Sequence, residues 1–252
     1  MPEAQKQKPV LEVRDLVAGY DEMVVLDGIN FSAYEGEILA VVGKSGCGKS
    51  TLMKNVTRLQ MPTRGSVKYW GQEILQLEED QLRRILRRIG ISFQAGALFN
   101  SLSVFENVAL PLREYTELDE ETIRALVMIK LSLVGLADAA YMMPSELSGG
   151  MKKRAGVARA LALNPDLLFF DEPSAGLDPV TASGLDHLVL DLRRLLGVTM
   201  VVITHELDSI KTIADRIMMI DGGKAVFLGT IEEAMSSSVS QVHDFFSRGG
   251  GG

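Results

Sequence analysis

Short apolar runs alternate with amphipathic stretches along most of the chain, and their order sets the expected architecture. Val10 to Val17, Val24-Val25-Leu26 and Ile29-Asn30-Phe31 predict short strands, with Asp27-Gly28 as punctuation. Ile38-Leu39-Ala40-Val41-Val42 is apolar throughout and rich in β-branched residues, the pattern of a buried parallel strand. Leu52, Met53, Val56 and Leu59 carry the spacing of a helix. After a Pro62–Gly65 turn, Ser66 to Trp70 predicts a strand. Leu82, Ile85, Leu86 and Ile89 share one helix face, with Arg83, Arg84, Arg87 and Arg88 opposite. Ile89 to Phe93 also reads as a strand. Residues 95–146 carry no strand pattern, and helices are expected at Val104 to Leu110 and Glu121 to Leu136.

The second half returns to alternation. A helix opens at Leu147–Met151 with Ser148 as N-cap and runs to about Leu163, where Asn164-Pro165 stops it. Leu167 to Phe170 is a buried strand. Pro179 starts a helix whose apolar face is Leu185, Leu188, Val189 and Leu192. Val198 to Ile203 is a strand, and a helix passes through Ile210 and Ile213. Strands at Ile217–Ile220 and Ala225–Leu228 flank an Asp221-Gly222-Gly223 turn, and short helices finish the fold. Strand–helix alternation of this kind predicts an α/β fold. Residues 95–164 read as an inserted helical subdomain, and residues 1–94 and 165–252 as the core it interrupts. Gly249 to Gly252 reads as a flexible tail.

Composition narrows the classes. The chain has 252 residues, 46% of them hydrophobic, enough for a substantial core. Its net charge of −7 argues against a protein that coats nucleic acid, and the arginine face reads as solvated. One cysteine, Cys47, permits no internal disulfide and fits a reducing compartment. Met1 to Pro9 lacks the apolar core of a signal peptide. No apolar run reaches the length of a membrane span, so any membrane role needs a spanning partner.

The chemistry starts at Gly43-Lys44-Ser45-Gly46-Cys47-Gly48-Lys49-Ser50-Thr51, set between a strand and a helix. That is the context of a phosphate-binding loop. Glycines let the backbone N–H groups turn inward, and the helix start adds a positive dipole end. Lys49 would reach the β- and γ-phosphates, Ser50 would hold Mg²⁺, and Thr51 would add a phosphate contact. Cys47 offers only its backbone N–H, although a helix N-terminus lowers thiol pKa values and would make it a reactive handle. Three further strands end in polar residues: Gln94, Asp171-Glu172 and His205. In open α/β sheets, ligands bind at such strand ends. Asp171 follows four apolar residues and is placed to serve Mg²⁺. Glu172 is the candidate base for the attacking water, Gln94 a metal and water ligand, and His205 a γ-phosphate sensor. Tyr20, between two of the predicted strands and about two dozen residues before the glycine loop, either stacks on a flat ring or is a surface tyrosine.

These residues, with Leu147-Ser148-Gly149-Gly150 and Ser174-Ala175-Gly176-Leu177-Asp178 in the same order, resemble the ABC-transporter ATPase subunit over nearly the whole chain. The resemblance implies a P-loop NTPase with a mixed sheet core, an antiparallel β subdomain and an inserted α-helical subdomain. It implies ATP and Mg²⁺, with adenine stacked on Tyr20. It also implies a head-to-tail dimer in which Ser148, Gly149, Gly150 and Asp178 complete the partner's site. Met151 departs from the glutamine common at its position. Met151 with Lys152-Lys153-Arg154, and the stretch Phe93 to Val108, are similar to the ATPases that partner MCE-domain proteins in phospholipid transport. That resemblance implies a peripheral subunit on the cytoplasmic face of the inner membrane, bound to integral permease subunits and an MCE-domain protein. A small regulatory subunit stays open. So do other solutes, an amino acid or a lipoprotein, and, further off, a non-transport ABC ATPase. Ala97, Leu98, Phe99, Leu102 and Phe105 form either core or a docking patch. We expect Leu98, Phe99 or Leu102 to meet a short helix of the membrane subunit.

Overall fold

A computed structural model describes residues 8–21 and 23–247. The Gly249–Gly252 tail and most of the polar N-terminus fall outside the described residues. The elements run β1 (Pro9–Tyr20), β2 (Met23–Tyr34), β3 (Ile38–Val42), α1 (Lys49–Val56), β4 (Arg64–Tyr69), β5 (Gln72–Glu73), α2 (Glu79–Leu86) and β6 (Ile89–Ser92). Then come α3 (Val104–Tyr115), α4 (Glu120–Leu133), α5 (Gly149–Ala160), β7 (Leu167–Asp171), α6 (Pro179–Leu196) and β8 (Thr199–Ile203). The chain closes with α7 (Leu207–Ile213), β9 (Arg216–Asp221), β10 (Lys224–Thr230), α8 (Ile231–Met235) and α9 (Ser240–Ser247).

The strands make two sheets. One is antiparallel, in the order β2-β1-β4-β5. The other runs β10-β9-β3-β8-β7-β6 and is mixed: β10 is antiparallel to β9, and all other pairs are parallel. Both faces of this mixed sheet are covered, which is why its strands read as unbroken apolar runs. Leu39, Val41, Leu167, Phe169, Val201 and Ile203 face a core shared with α1 and the antiparallel sheet. Ile38, Leu168, Phe170, Met200 and Val202 face the opposite core, built with α3, α4, α5 and α6. A third cluster joins Ala40, Val42, Ile217 and Met219 to α7, α8 and α9. The helices of residues 95–164 thus pack into one core with the sheet.

Several local expectations are corrected. The first two strands are long and continuous. Asp27-Gly28 is a bulge within β2, where Gly28 takes φ +72°, and the ladder with β1 resumes on either side. Leu59 lies past α1 and is exposed. Ile89 belongs to β6, not to the preceding helix, because α2 stops at Leu86 and the arginine face is tied to neighbours. Arg83 pairs with Glu79, and Arg88 pairs with Asp166 at 2.6 Å and stacks 3.6 Å from the Trp70 ring. Helix α3 runs through Pro111 to Tyr115, where a sequence reading stops at Leu110. Leu112 is buried beyond the proline, and that burial offsets the lost backbone donor. Helix α4 ends at Leu133, and a buried Leu136 follows it in a turn.

Candidate active site

Strand β3 delivers the glycine loop, and sterics explain its glycines. Gly43 has φ +150°, and a Cβ there would sit 2.3 Å from the Ile220 carbonyl oxygen. Gly48 has φ +110°, and its Cβ would strike a Leu26 methyl at 2.6 Å. Lys44, Ser45 and Gly46 are exposed at the tip. Lys49 opens α1 and is buried, with Nζ donating to the Gly43 carbonyl at 2.8 Å and the Lys44 carbonyl at 3.1 Å. Ser50 is exposed in the first turn and Thr51 is buried. Cys47 is half-buried, and burial pushes its thiol pKa up. Desolvation outweighs the Lys49 charge and the nearby backbone N–H groups, which speaks against the reactive handle and leaves the reading of Cys47 as a backbone contact only.

Parallel pairing brings the other strand ends level with this loop. Asp171 pairs with Ile203 across β7–β8, and Ile203 pairs with Val41 across β8–β3. Glu172 follows with φ +48°, and its N–H donates to the Ile203 carbonyl at 2.8 Å. That backbone turn sends its carboxylate toward the loop. Its Oε1 lies 4.0 Å from Lys49 Nζ, and its Oε2 accepts from His205 Nδ1 at 2.8 Å. His205 Nε2 is 3.4 Å from Glu206 Oε1. Gln94 is exposed two residues past Ser92, which pairs with Phe170. Tyr20 is 43% exposed and lies beside α1, its ring 5.9 Å from Lys54 Nζ. The Thr51 hydroxyl and the Lys54 ammonium lower the Tyr20 phenol pKa.

Ser148, Gly149, Gly150 and Asp178 gather elsewhere. Ser148 is exposed and caps α5, accepting from Met151 N at 3.3 Å. A Cβ on Gly150 would meet the Thr181 methyl at 2.6 Å, so the first turns of α5 and α6 abut. Asp178 caps α6, accepting from Thr181 N at 3.1 Å and from Thr181 Oγ1 at 2.6 Å. These four groups form a second cluster, exposed except at the half-buried Gly150. The family model of the ABC transporter matches residues 26–175, which hold the loop, Gln94, Ser148 and Asp171-Glu172.

The chain belongs to the ABC transporter family. It is 41% identical over 236 residues to the intermembrane phospholipid transport system ATP-binding protein MlaF of Haemophilus influenzae, covering 94% of this chain and 89% of that one. It is 40% identical over 234 residues to the methionine import ATP-binding protein MetN of Brucella abortus, covering 93% of this chain and 63% of that one. Among solved structures, cbiO1 of Clostridium perfringens superposes with a TM-score of 0.84 at 29% identity, over 92% of each chain. The ATP-binding cassette MJ0796, solved as a dimer bound to ADP and Pi, superposes at 0.81 and 30% identity, over 88% of this chain and 98% of that one.

As an ABC transporter ATPase, the chain takes ATP as substrate, and the residues can be tested for the metal that accompanies it. Asp171 Oδ1 is buried without a hydrogen-bond partner, an orphaned acceptor that a cation or its water would satisfy. Burial raises the Asp171 pKa, and the neighbouring Glu172 charge adds to that. Among the described residues no cluster of three His, Cys, Asp or Glu forms a metal cage. A site with so few protein oxygens fits Mg²⁺, which shares its shell with phosphates and water. Three residues were not visible as functional in the sequence. Lys153 and Arg159 of α5 reach backbone carbonyls beside Glu172 and Gln94, and buried Asn107 ties the loop that follows Gln94. The signal for the two cations was a basic residue on the buried side of a helix.

Of the docking candidates, Phe99 and Ala97 are exposed, Leu98 and Leu102 are half-buried, and Phe105 is core. Leu98 packs on the helical core.

Proposed function

We propose that the chain hydrolyses ATP to drive movement of phospholipids between membranes, as a peripheral subunit on the cytoplasmic face of the inner membrane. The observation that carries this reading is the 41% identity, along 94% of the chain, to a phospholipid transport ATP-binding protein. No helix among the described residues is long and apolar enough to cross a membrane, so integral permease subunits would do the spanning. An MCE-domain protein would complete the transport system.

In this reading Lys49 and the loop N–H groups hold the β- and γ-phosphates, and Tyr20 stacks on adenine. Ser50, Gln94 and Asp171 would hold Mg²⁺, which supplies charge neutralisation at the phosphates. Glu172 accepts the proton of the attacking water. Its contact with His205 holds the carboxylate in place, and the half-buried setting keeps bulk water from competing. Ser148, Gly149, Gly150 and Asp178 complete the site of a second copy, head to tail. The exposure of Ser148, Gly149 and Asp178 supports that arrangement, as does the dimeric form of MJ0796. ATP would close the dimer and hydrolysis would reopen it.

A second reading, import of an amino acid, is favoured by the 40% identity to the methionine importer. The test is to purify the chain with its membrane subunits and reconstitute the complex. Co-purified phospholipid and ATPase activity that responds to phospholipid are expected. A complex free of lipid whose ATPase responds to methionine would overturn the proposal.

A further inference from the structure

Helix α5 starts at the exposed Ser148 cluster and ends against the loop after Gln94. Between these ends sits Lys153, which is only 8% exposed. Its Nζ donates to the main-chain carbonyl of Glu172 at 3.1 Å. The acids whose charge acts on it are Glu172 and Asp171. The same carbonyl accepts from Ala175 N at 3.2 Å. Glu172 holds φ +48°, a conformation that a residue with a Cβ adopts only when its surroundings impose it. Two donors on its carbonyl and one acceptor for its N–H, the Ile203 carbonyl, are those surroundings. Hydrogen bonds from a charged donor are the strong ones, so the ammonium is the stiffest of the three ties.

The rest of α5 is fastened as firmly. Arg159 donates to the Gly96 carbonyl at 3.1 Å and the Ala97 carbonyl at 2.8 Å. A Cβ on Gly156 would come within 3.0 Å of Gly96 Cα, so helix and loop touch backbone to backbone. Arg154 donates to the Val134 and Gly184 carbonyls, both at 3.0 Å, locking the helix to its neighbours. A helix tied in this way moves as a rigid body. Any displacement of its first turn reaches the Glu172 backbone through Lys153 and the Gln94 loop through Arg159.

We propose that Lys153 is a positioning residue for Glu172, and that α5 thereby links the exposed Ser148 cluster of a chain to that chain's own hydrolytic carboxylate. This rests on the reading that Glu172 carries hydrolysis. In a head-to-tail dimer the Ser148 cluster reads the partner's nucleotide. Lys153 then passes the state of one site to the base of the other without leaving the subunit.

The test is a double-mutant cycle on ATPase turnover in the assembled complex, with thermal melts beside it. Lys153→Met keeps the stem and removes the donor. We expect kcat to fall about tenfold, as small misplacements of a reacting group do, with the KM for ATP within about twofold of wild type. In a Glu172→Gln background, read by single-turnover hydrolysis of labelled ATP, Lys153→Met should change nothing further. Lys153→Gln, which keeps a donor, should recover part of the loss. A purely structural role would instead raise KM or multiply its effect onto Glu172→Gln, and either result overturns the proposal. If Lys153→Met melts below the assay temperature, Lys153→Gln carries the cycle, with a smaller fall in kcat expected and no further effect in the Glu172→Gln background. Wild-type kcat in Lys153→Met with a dead Glu172→Gln sinks the Lys153 proposal alone. Wild-type turnover in Glu172→Gln sinks the reading it rests on.

Discussion

Lys49 illustrates how a single residue is fixed by chemistry and by packing together. Its stem is buried, and its ammonium is bonded to two loop carbonyls and stands 4.0 Å from Glu172. A charged donor to phosphate is worth about 1.5–3 kcal/mol. Lys49→Ala should therefore weaken ATP binding by roughly 10- to 150-fold, measured by calorimetric titration, and unchanged affinity would refute the phosphate role. Cys47, four residues after Gly43, makes the opposite point. Burial raises its pKa, so at neutral pH it should alkylate with iodoacetamide more slowly than a free cysteine thiol. Equal or faster labelling, read by mass spectrometry, would contradict the burial. The placing of Lys49, Asp171 and Glu172 at neighbouring strand ends was legible in the sequence, because a glycine loop and an apolar strand fix where each one falls. Lys153 was not, since its partner lies 19 positions away and offers only a backbone carbonyl.

At the scale of elements, Arg159 holds the first part of the segment between β6 and α3, and Asn107 holds the part that leads into α3. Asn107 accepts from Phe99 N at 2.8 Å and donates to the Phe99, Leu102 and Ser103 carbonyls between 2.9 and 3.1 Å. Ser103 and Glu106 close a capping box on the same turn. This frame presents Phe99, 53% exposed, while Phe105 packs inward. Phe99→Ala should shift folding stability by less than about 0.5 kcal/mol yet weaken capture by the membrane subunit. Phe105→Ala should cost about 3–5 kcal/mol of stability. Chemical denaturation beside a pull-down separates the two, and a large stability loss in Phe99→Ala would remove the docking role. Strands and helices here were visible as periodicity. Their ends were not: Asp27-Gly28 looks like a break, and only the ladder across to β1 shows it as a bulge. Pro111 looks like a stop, and only the buried Leu112 shows why α3 continues.

At the scale of the whole molecule, groups that serve one nucleotide in the proposed dimer sit in two separate clusters of a single chain. Ser148→Arg places a bulky cation on the exposed cluster and leaves Lys49 and its loop untouched. ATP binding by the isolated chain should persist while hydrolysis in the assembled complex falls by at least about tenfold. Normal hydrolysis by a monomeric Ser148→Arg protein would refute the shared site. The order of motifs in the sequence disclosed the family and its fold. It did not disclose that residues 95–164 would share a core with the sheet, because long-range packing leaves no local period.

That shared sheet also governs how the molecule opens. Alternate residues of β7 and β8 belong to different apolar cores, Leu167 and Phe169 to one, Leu168 and Phe170 to the other. No amide in these strands can meet solvent while either core persists. Deuterium should therefore enter β3, β7 and β8 last and together, at a rate set by global unfolding, whereas the exposed α2 and α9 exchange early by fraying. The strands that carry the proposed catalytic residues would then be the slowest clock in the protein.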